Sequence, residues 1–170
     1  VIFSSLTAQC LAKGQAVTIL VHRHELMEQV SATLTAFGVE HGKIAPGSPC
    51  HRKRPIQVAS VMTLRNRLAE YLKPEVLIVD ECHHAVGPSY QRIFNAYSQA
   101  ARIGVTATPE RLDGKGLGEV FRALHVGPST RELIEIEALC DYRVFAPAVG
   151  GVMALDSMRS MAMSGKASCI

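Results

Sequence analysis

The stretch VLIVDECHH, residues 76 to 84, limits what this 170-residue chain can fold into more than any other. Val76, Leu77, Ile78 and Val79 form an unbroken apolar run, β-branched at three of its four positions. A run without inside-outside alternation reads as a strand covered on both faces, as in parallel sheets. Two carboxylates, Asp80 and Glu81, leave its carboxyl end. Ligands of open α/β sheets bind at that edge, where a carboxylate can hold a hydrated magnesium ion against a nucleotide phosphate.

Three further apolar runs repeat the pattern: AVTILV at 16–21, IQVASV at 56–61 and ARIGVTA at 101–107. Segments with helical spacing separate them. Leu26, Val30, Leu34 and Phe37 mark a helix over 25–37 closed by Gly38; Leu64, Leu68 and Leu72 mark one over 63–72; another is expected near 89–98. Four strands alternating with helices specify an α/β fold with a mainly parallel sheet. The first run then carries His22, Arg23 and His24 to the edge that holds the acids.

Around this frame, residues 2–13 read as a partly buried helix ended by Gly14, 38–41 as a short strand, and 42–55, with Gly47, Pro49 and Pro55, as a surface loop. Residues 111–118 read as an exposed turn, 124–126 as a short strand and 143–147 as an extended exit strand. Ser129 followed by Glu132 is a capping-box pattern opening a helix over 129–138. From residue 148 the composition turns to Gly, Ala, Met and Ser with weak periodicity, so 1–147 is read as the domain and 148–170 as a tail or displaced terminal element.

The length and the 48% apolar content suit one domain with a sizeable core. No run of 18 apolar residues and no signal-peptide pattern occurs, so the expectation is a non-membrane protein of the cytoplasm or another intracellular compartment containing nucleic acid. Five scattered cysteines suggest no disulfide framework. Net charge is only +3, yet Arg52, Lys53, Arg54, Arg65 and Arg67 occur with no acid between them. They form either a solvated basic face or a track for backbone phosphates.

Successive side chains leaving a strand point in different directions, so Asp80 and Glu81 should have different roles. Asp80 is placed to bind magnesium through water, and Glu81 to orient the attacking water or accept its proton. His83 and His84 flank no second ligand knuckle, and neither HExxH nor a CxxC pair occurs, which disfavours zinc. They read instead as groups that hydrogen-bond neighbouring loops. Thr106 and Thr108 offer two hydroxyls at alternate positions of a strand end, for bonding to the neighbouring histidines or for capping a helix.

Together these motifs resemble the first RecA-like motor domain of the superfamily-two helicases and translocases, the DEAD/DEAH-related group, and most of all its branch of DNA-repair helicases and type III restriction subunits. LIVDECHH at 77–84 resembles the Walker B motif, and GVTATPERLDG at 104–114 resembles motif III and its extension. LVHRHELMEQ at 20–29 resembles motif Ia, and VASVMTL at 58–64 the strand-end motif that touches nucleic acid. The resemblance implies that Asp80 binds magnesium, Glu81 acts on the hydrolytic water, and His83 couples the site to the motor cleft. It implies coupling roles for Thr106, Thr108 and His84, and nucleic-acid contacts for Arg23, Gln29, Ser60 and Thr63. ATP and Mg2+ are the implied cofactors of the intact protein, DNA is implied more than RNA, and a second RecA-like domain is the implied partner.

Two departures concern His22, where many relatives carry Pro, and Cys82, where a small or aliphatic residue is usual. A third is larger. The family's phosphate-cradling loop, GxxxxGK[ST], is absent from these 170 residues, and Gly165-Lys166 is followed by Ala167 with no strand before it. Val1 reads as the residue directly after that loop. The expectation is therefore a RecA-like P-loop NTPase sheet lacking the loop and the strand before it. That strand is expected between the runs at 76–80 and 102–105, leaving a gap that invites marginal folding, strand exchange or oligomerisation. The intact parent is read as an ATP-dependent helicase or translocase, and the 170-residue piece as inactive. The alternative is a noncatalytic module that binds nucleic acid or a protein partner.

Overall fold

The apolar runs at 16–21, 56–61 and 76–79 become strands covered on both faces, whereas the run at 101–107 becomes an edge strand with no fully buried residue. In the computed structural model, which describes residues 2–49, 51–108 and 117–142, β1 is Val17–Val21, β2 Gly42–Ile44, β3 Ile56–Ser60, β4 Val76–Asp80 and β5 Ala101–Val105. The helices are α1 Ile2–Ala12, α2 His24–Ala36, α3 Val61–Leu64, α4 Pro88–Ala96 and α5 Thr130–Glu135. The five strands form one sheet in the order β2-β3-β1-β4-β5, and every pairing is parallel.

Alternate residues of one strand feed two separate cores. Val17, Ile19 and Val21 of β1 and Ile78 of β4 pack with Met27 and Leu34 of α2 and with Cys10 of α1. Leu20, Leu77 and Val79 pack on the other side with Tyr90, Ile93 and Phe94 of α4 and with Leu64 of α3. Each fully buried aliphatic chain contributes about 1.5–3 kcal/mol relative to exposure. Two covered faces explain why the sequence pattern of these strands does not alternate. Among the described residues no helix is long and apolar enough to cross a membrane.

Several expectations are corrected. Residues 38–41 form no strand; β2 begins directly after them, at Gly42, inside the segment read as a loop. It is a three-residue edge strand whose pairing partner, β3, supplies the order that its composition does not. The helix expected over 63–72 breaks after Leu64 and resumes only as a 3₁₀ turn at Leu68–Glu70. Arg67 leaves helical geometry there at φ −131°, ψ 27°, and Leu72 is 47% exposed, so the leucine stripe does not share one buried face. Residues 124–126 are not a strand, and Leu124 and Val126 are 65% and 70% exposed. The capping box is present as read: Ser129 Oγ accepts from the Glu132 N–H at 3.2 Å, and Glu132 Oε2 accepts from the Ser129 N–H at 2.6 Å. The turn read at 111–118 falls mostly outside the described residues, and the exit strand at 143–147 and the tail from 148 fall wholly outside them.

The expected gap between β4 and β5 is also corrected. The two strands pair directly in a continuous register from Val76↔Ala101 to Asp80↔Val105. A four-residue connection after α4 sets β5 beside β4, which leaves β5 as the sheet edge. Of the five cations of residues 52–67, Arg52, Lys53 and Arg54 precede β3, and Arg65 and Arg67 follow its far end. Glu70, distant in sequence from the first three, meets Arg52 at 3.1 Å.

By contact the chain divides into two units, Val1–Ala123 and Leu124–Ile170, and the sheet belongs entirely to the first. Within that unit, Gly104 of β5 is in tight contact. A Cβ there would lie 2.8 Å from both Cβ and Sγ of Cys82 and 2.5 Å from Cζ of Phe121. Gly104→Ala is therefore expected to destabilise the fold by about 1–3 kcal/mol through overpacking. The check is a denaturant titration, in which an unchanged midpoint would contradict the packing described.

Candidate functional site

Parallel register brings the ends of four strands to one edge. Val21 pairs with Ser60, Leu20 with Val79, and Asp80 with Val105. The residues that follow, His22–Arg23, Val61–Thr63, Glu81–His84 and Thr106–Thr108, leave the sheet on that side. Arg23 is exposed, and Ser60 and Thr63 are half-buried. Gln29 is not part of this group: it stands exposed on α2, about 7 Å along the helix axis from His24.

The acidic cluster depends on a backbone turn at Glu81. This residue adopts the left-handed conformation, φ 49° and ψ 51°, which costs a residue other than glycine about 1–2 kcal/mol. Such strain concentrates at functional sites. The turn points the Glu81 N–H at Asp80 Oδ1, 3.0 Å away, and opens the 3₁₀ turn Cys82–His84. It also sets Glu81 Oε2 3.3 Å from His83 Nδ1. The same Nδ1 lies 3.0 Å from Thr106 Oγ1, which in turn accepts from the Thr108 N–H at 3.1 Å. His83 thus bridges the end of β4 to the end of β5, and Asp80, Glu81, His83, Thr106 and Thr108 form one connected group.

Burial dominates the electrostatics. It raises the Asp80 carboxyl above its ordinary value; the Glu81 N–H opposes this, and the Glu81 charge adds to it. Burial pushes the Cys82 thiol up to about 11, so Cys82 acts as a small apolar group packed on Gly104. Burial, followed by the Asp80 charge, pushes the Tyr90 hydroxyl up to about 12. The arrangement fits a magnesium ion on chemical grounds. Asp80 is a half-buried carboxylate with one oxygen held by a backbone donor, and magnesium accepts one or two carboxylates while keeping several waters.

Three contacts were not foreseen from sequence. The His22 ring meets the His84 ring at 5.2 Å between centroids, and His84 meets His83 at 4.1 Å. Arg65 Nη1 donates to Ser89 Oγ at 2.7 Å, tying the segment after α3 to the start of α4. The parallel sheet placed His22 at the right edge in the sequence reading. Nothing in the sequence marked Ser89 or Tyr90.

Comparison with known proteins agrees with this geometry. The family described as "Type III restriction enzyme, res subunit" matches residues 1–111. A 51.5 kDa protein of Lactococcus phage (isolate 7-9) is 30% identical over 146 residues, covering 86% of this chain. The "Putative ATP-dependent helicase IRC3" of Saccharomyces cerevisiae is 33% identical over 141 residues, covering 72% of this chain. The chain spans only 30% and 19% of the length of these two relatives. The crystal structure of the UvsW helicase from bacteriophage T4 superposes with a TM-score of 0.53 at 18% identity, covering 64% of this chain and 42% of UvsW, a likeness of fold alone. Sheet order, DECHH edge and family match together establish that the chain belongs to the type III restriction enzyme res-subunit family, as a first RecA-like domain of the superfamily-two helicases.

Proposed function

We propose that this chain is the nucleotide-facing part of an ATP-driven helicase or translocase that acts on nucleic acid, DNA in preference to RNA. The observation that carries the reading is the connected group Asp80–Glu81–His83–Thr106 at the carboxyl edge of the sheet. The likeness of TATPERLDG and the paired histidines to DNA-acting relatives supports DNA. Bound magnesium-ATP supplies a transferable γ-phosphoryl group whose charge the ion partly neutralises. Asp80 is assigned to hold the ion through its waters. Glu81, fixed by its strained turn, is assigned to orient the hydrolytic water and take its proton. His83 reports on that carboxylate to Thr106 through a single ring nitrogen, and Thr108 follows through its backbone. Arg23, Ser60 and Thr63, on the same edge, are assigned to the backbone of one strand, as is Gln29 from the outer face of α2. A second RecA-like domain is assigned to close the nucleotide cleft.

The second reading, a noncatalytic module that binds nucleic acid or a protein, is favoured by one feature: these 170 residues contain no GxxxxGK[ST] loop. The chain alone is accordingly expected to release no phosphate from ATP above background. DNA-stimulated phosphate release that disappears in Asp80→Asn would contradict this. In a longer protein that joins the chain to a phosphate-binding loop and a second domain, Glu81→Gln is expected to lower kcat at least about 100-fold. Unchanged kcat would remove Glu81 from the proposed role.

The Asp80 carboxyl carries its own signature. Its raised value means that the folded chain takes up this proton at higher pH than the unfolded chain. The contribution to stability is full below the unfolded value and is lost as pH rises through the folded one. Without magnesium, Asp80→Asn is expected to raise the melting temperature at neutral pH, with the gain shrinking on acidification through the carboxylate range. A variant that melts lower at every pH would contradict the burial argument.

A further inference from the structure

Three histidine rings join the end of β1 to the acidic group. His22 follows Val21, the last residue of β1, and its exposed ring meets the His84 ring at 5.2 Å between centroids and 30° between planes. His84 meets His83 at 4.1 Å and 48°. Tilted rings at these separations are in direct contact. His84 then reaches Glu81 by two routes. Its N–H donates to the Glu81 carbonyl at 3.0 Å, and its ring lies against that of His83, whose Nδ1 stands 3.3 Å from Glu81 Oε2.

The base of this chain is fixed while its rings have room to move. Val21 is fully buried and pairs with Ser60, so the sheet sets where His22 begins. The His22 and His84 rings are exposed and border a cavity of about 200 Å³ whose lining includes Met62, itself 47% exposed. His22 and Arg23 are the whole connection between β1 and α2. Arg23 is the N-cap of α2, and its side chain makes no capping hydrogen bond. A phosphate that pulls on Arg23 therefore moves His22 as well.

His83 supplies an element with two discrete states, which coupling between sites requires. Its Nδ1 carries either one proton or one lone pair. With the proton it donates to Glu81 Oε2 at 3.3 Å or to Thr106 Oγ1 at 3.0 Å. With the lone pair it accepts from the Thr106 hydroxyl and leaves the Glu81 carboxylate without that donor. The position of the ring decides between the two partners, and the His84 ring bears on that position.

We propose that His22 is a positioning residue: it carries the state of a strand bound at Arg23, through His84, to the choice that His83 makes between Glu81 and Thr106. The inference rests on the nucleic-acid reading of Arg23 given above and adds the end of β1 to the linked ends of β4 and β5.

Imidazole nitrogen NMR on the full ¹⁵N-histidine-labelled chain, with and without saturating oligothymidylate, tests the proposal. In the wild-type chain the oligonucleotide is expected to shift the His83 Nδ1 resonance. His22→Ala removes an exposed ring, so this chain is expected to fold, to leave the His41 resonances in place and to bind with wild-type affinity, yet to lose the His83 shift. His22→Phe, which restores a ring against His84, is expected to recover it; a merely structural His22 would not separate affinity from the His83 response in this way. A full His83 shift in the His22→Ala chain, or none in the His22→Phe chain, would overturn the ring contact as the carrier. Binding by the wild-type chain with an unmoved His83 would overturn the coupling while the nucleic-acid reading stands. If the wild-type chain binds no oligonucleotide, that reading falls and the coupling with it.

Discussion

Direct backbone pairing of β4 with β1 on one side and β5 on the other is the constraint on which the rest of the site depends. Parallel strands in register end together, so residues far apart in sequence leave the sheet at one edge. His83 meets Thr106 only because Asp80 pairs with Val105. A displacement of β5 by one residue would turn Thr106 toward the opposite face and break that contact. Gly104 permits the arrangement, since any side chain there would collide with Cys82 and hold the 3₁₀ turn away from β5.

Stability and site chemistry oppose each other at this edge. Glu81 occupies a left-handed backbone conformation, and Asp80 keeps a carboxyl in surroundings that resist its charge. Both costs fall on residues that hold no core in place. The strands beneath them offset the strain, because Leu77, Ile78 and Val79 are fully buried between the two cores. Cys82 and Tyr90 are kept uncharged by the same burial, so the ionisable groups acting at the edge are the two acids and the neighbouring histidines.

The four apolar strands, and the two-sided cover of the inner strands β3, β1 and β4, were legible in the sequence, since uninterrupted Val, Ile and Leu runs bounded by helical spacing leave few alternatives. The acidic cluster was legible for the same reason: a strand read correctly fixes where its next residues point. Elsewhere the signal was absent. β2 has three residues, Gly42, Lys43 and Ile44, with no pattern of their own, and takes its conformation from β3. The neighbour relation of β4 and β5 cannot be read from either strand, because sheet order is set by crossover packing and not by strand composition. The leucines at 64, 68 and 72 matched a helix in spacing, yet the geometry of Arg67 ended it. Nothing in the sequence singled out Tyr90, whose buried hydroxyl has no hydrogen-bond partner among the described residues.

The central claim is that His83 links the β4 carboxylate to the β5 hydroxyl. Imidazole nitrogen NMR on the ¹⁵N-histidine-labelled chain tests it most directly. The expected result is a His83 Nδ1 resonance that shifts in both Glu81→Gln and Thr106→Val, while the ring of His41, bonded to Ser31 and to the Val39 carbonyl, does not move. A His83 resonance unmoved by either substitution would contradict the linkage and the coupling built on it.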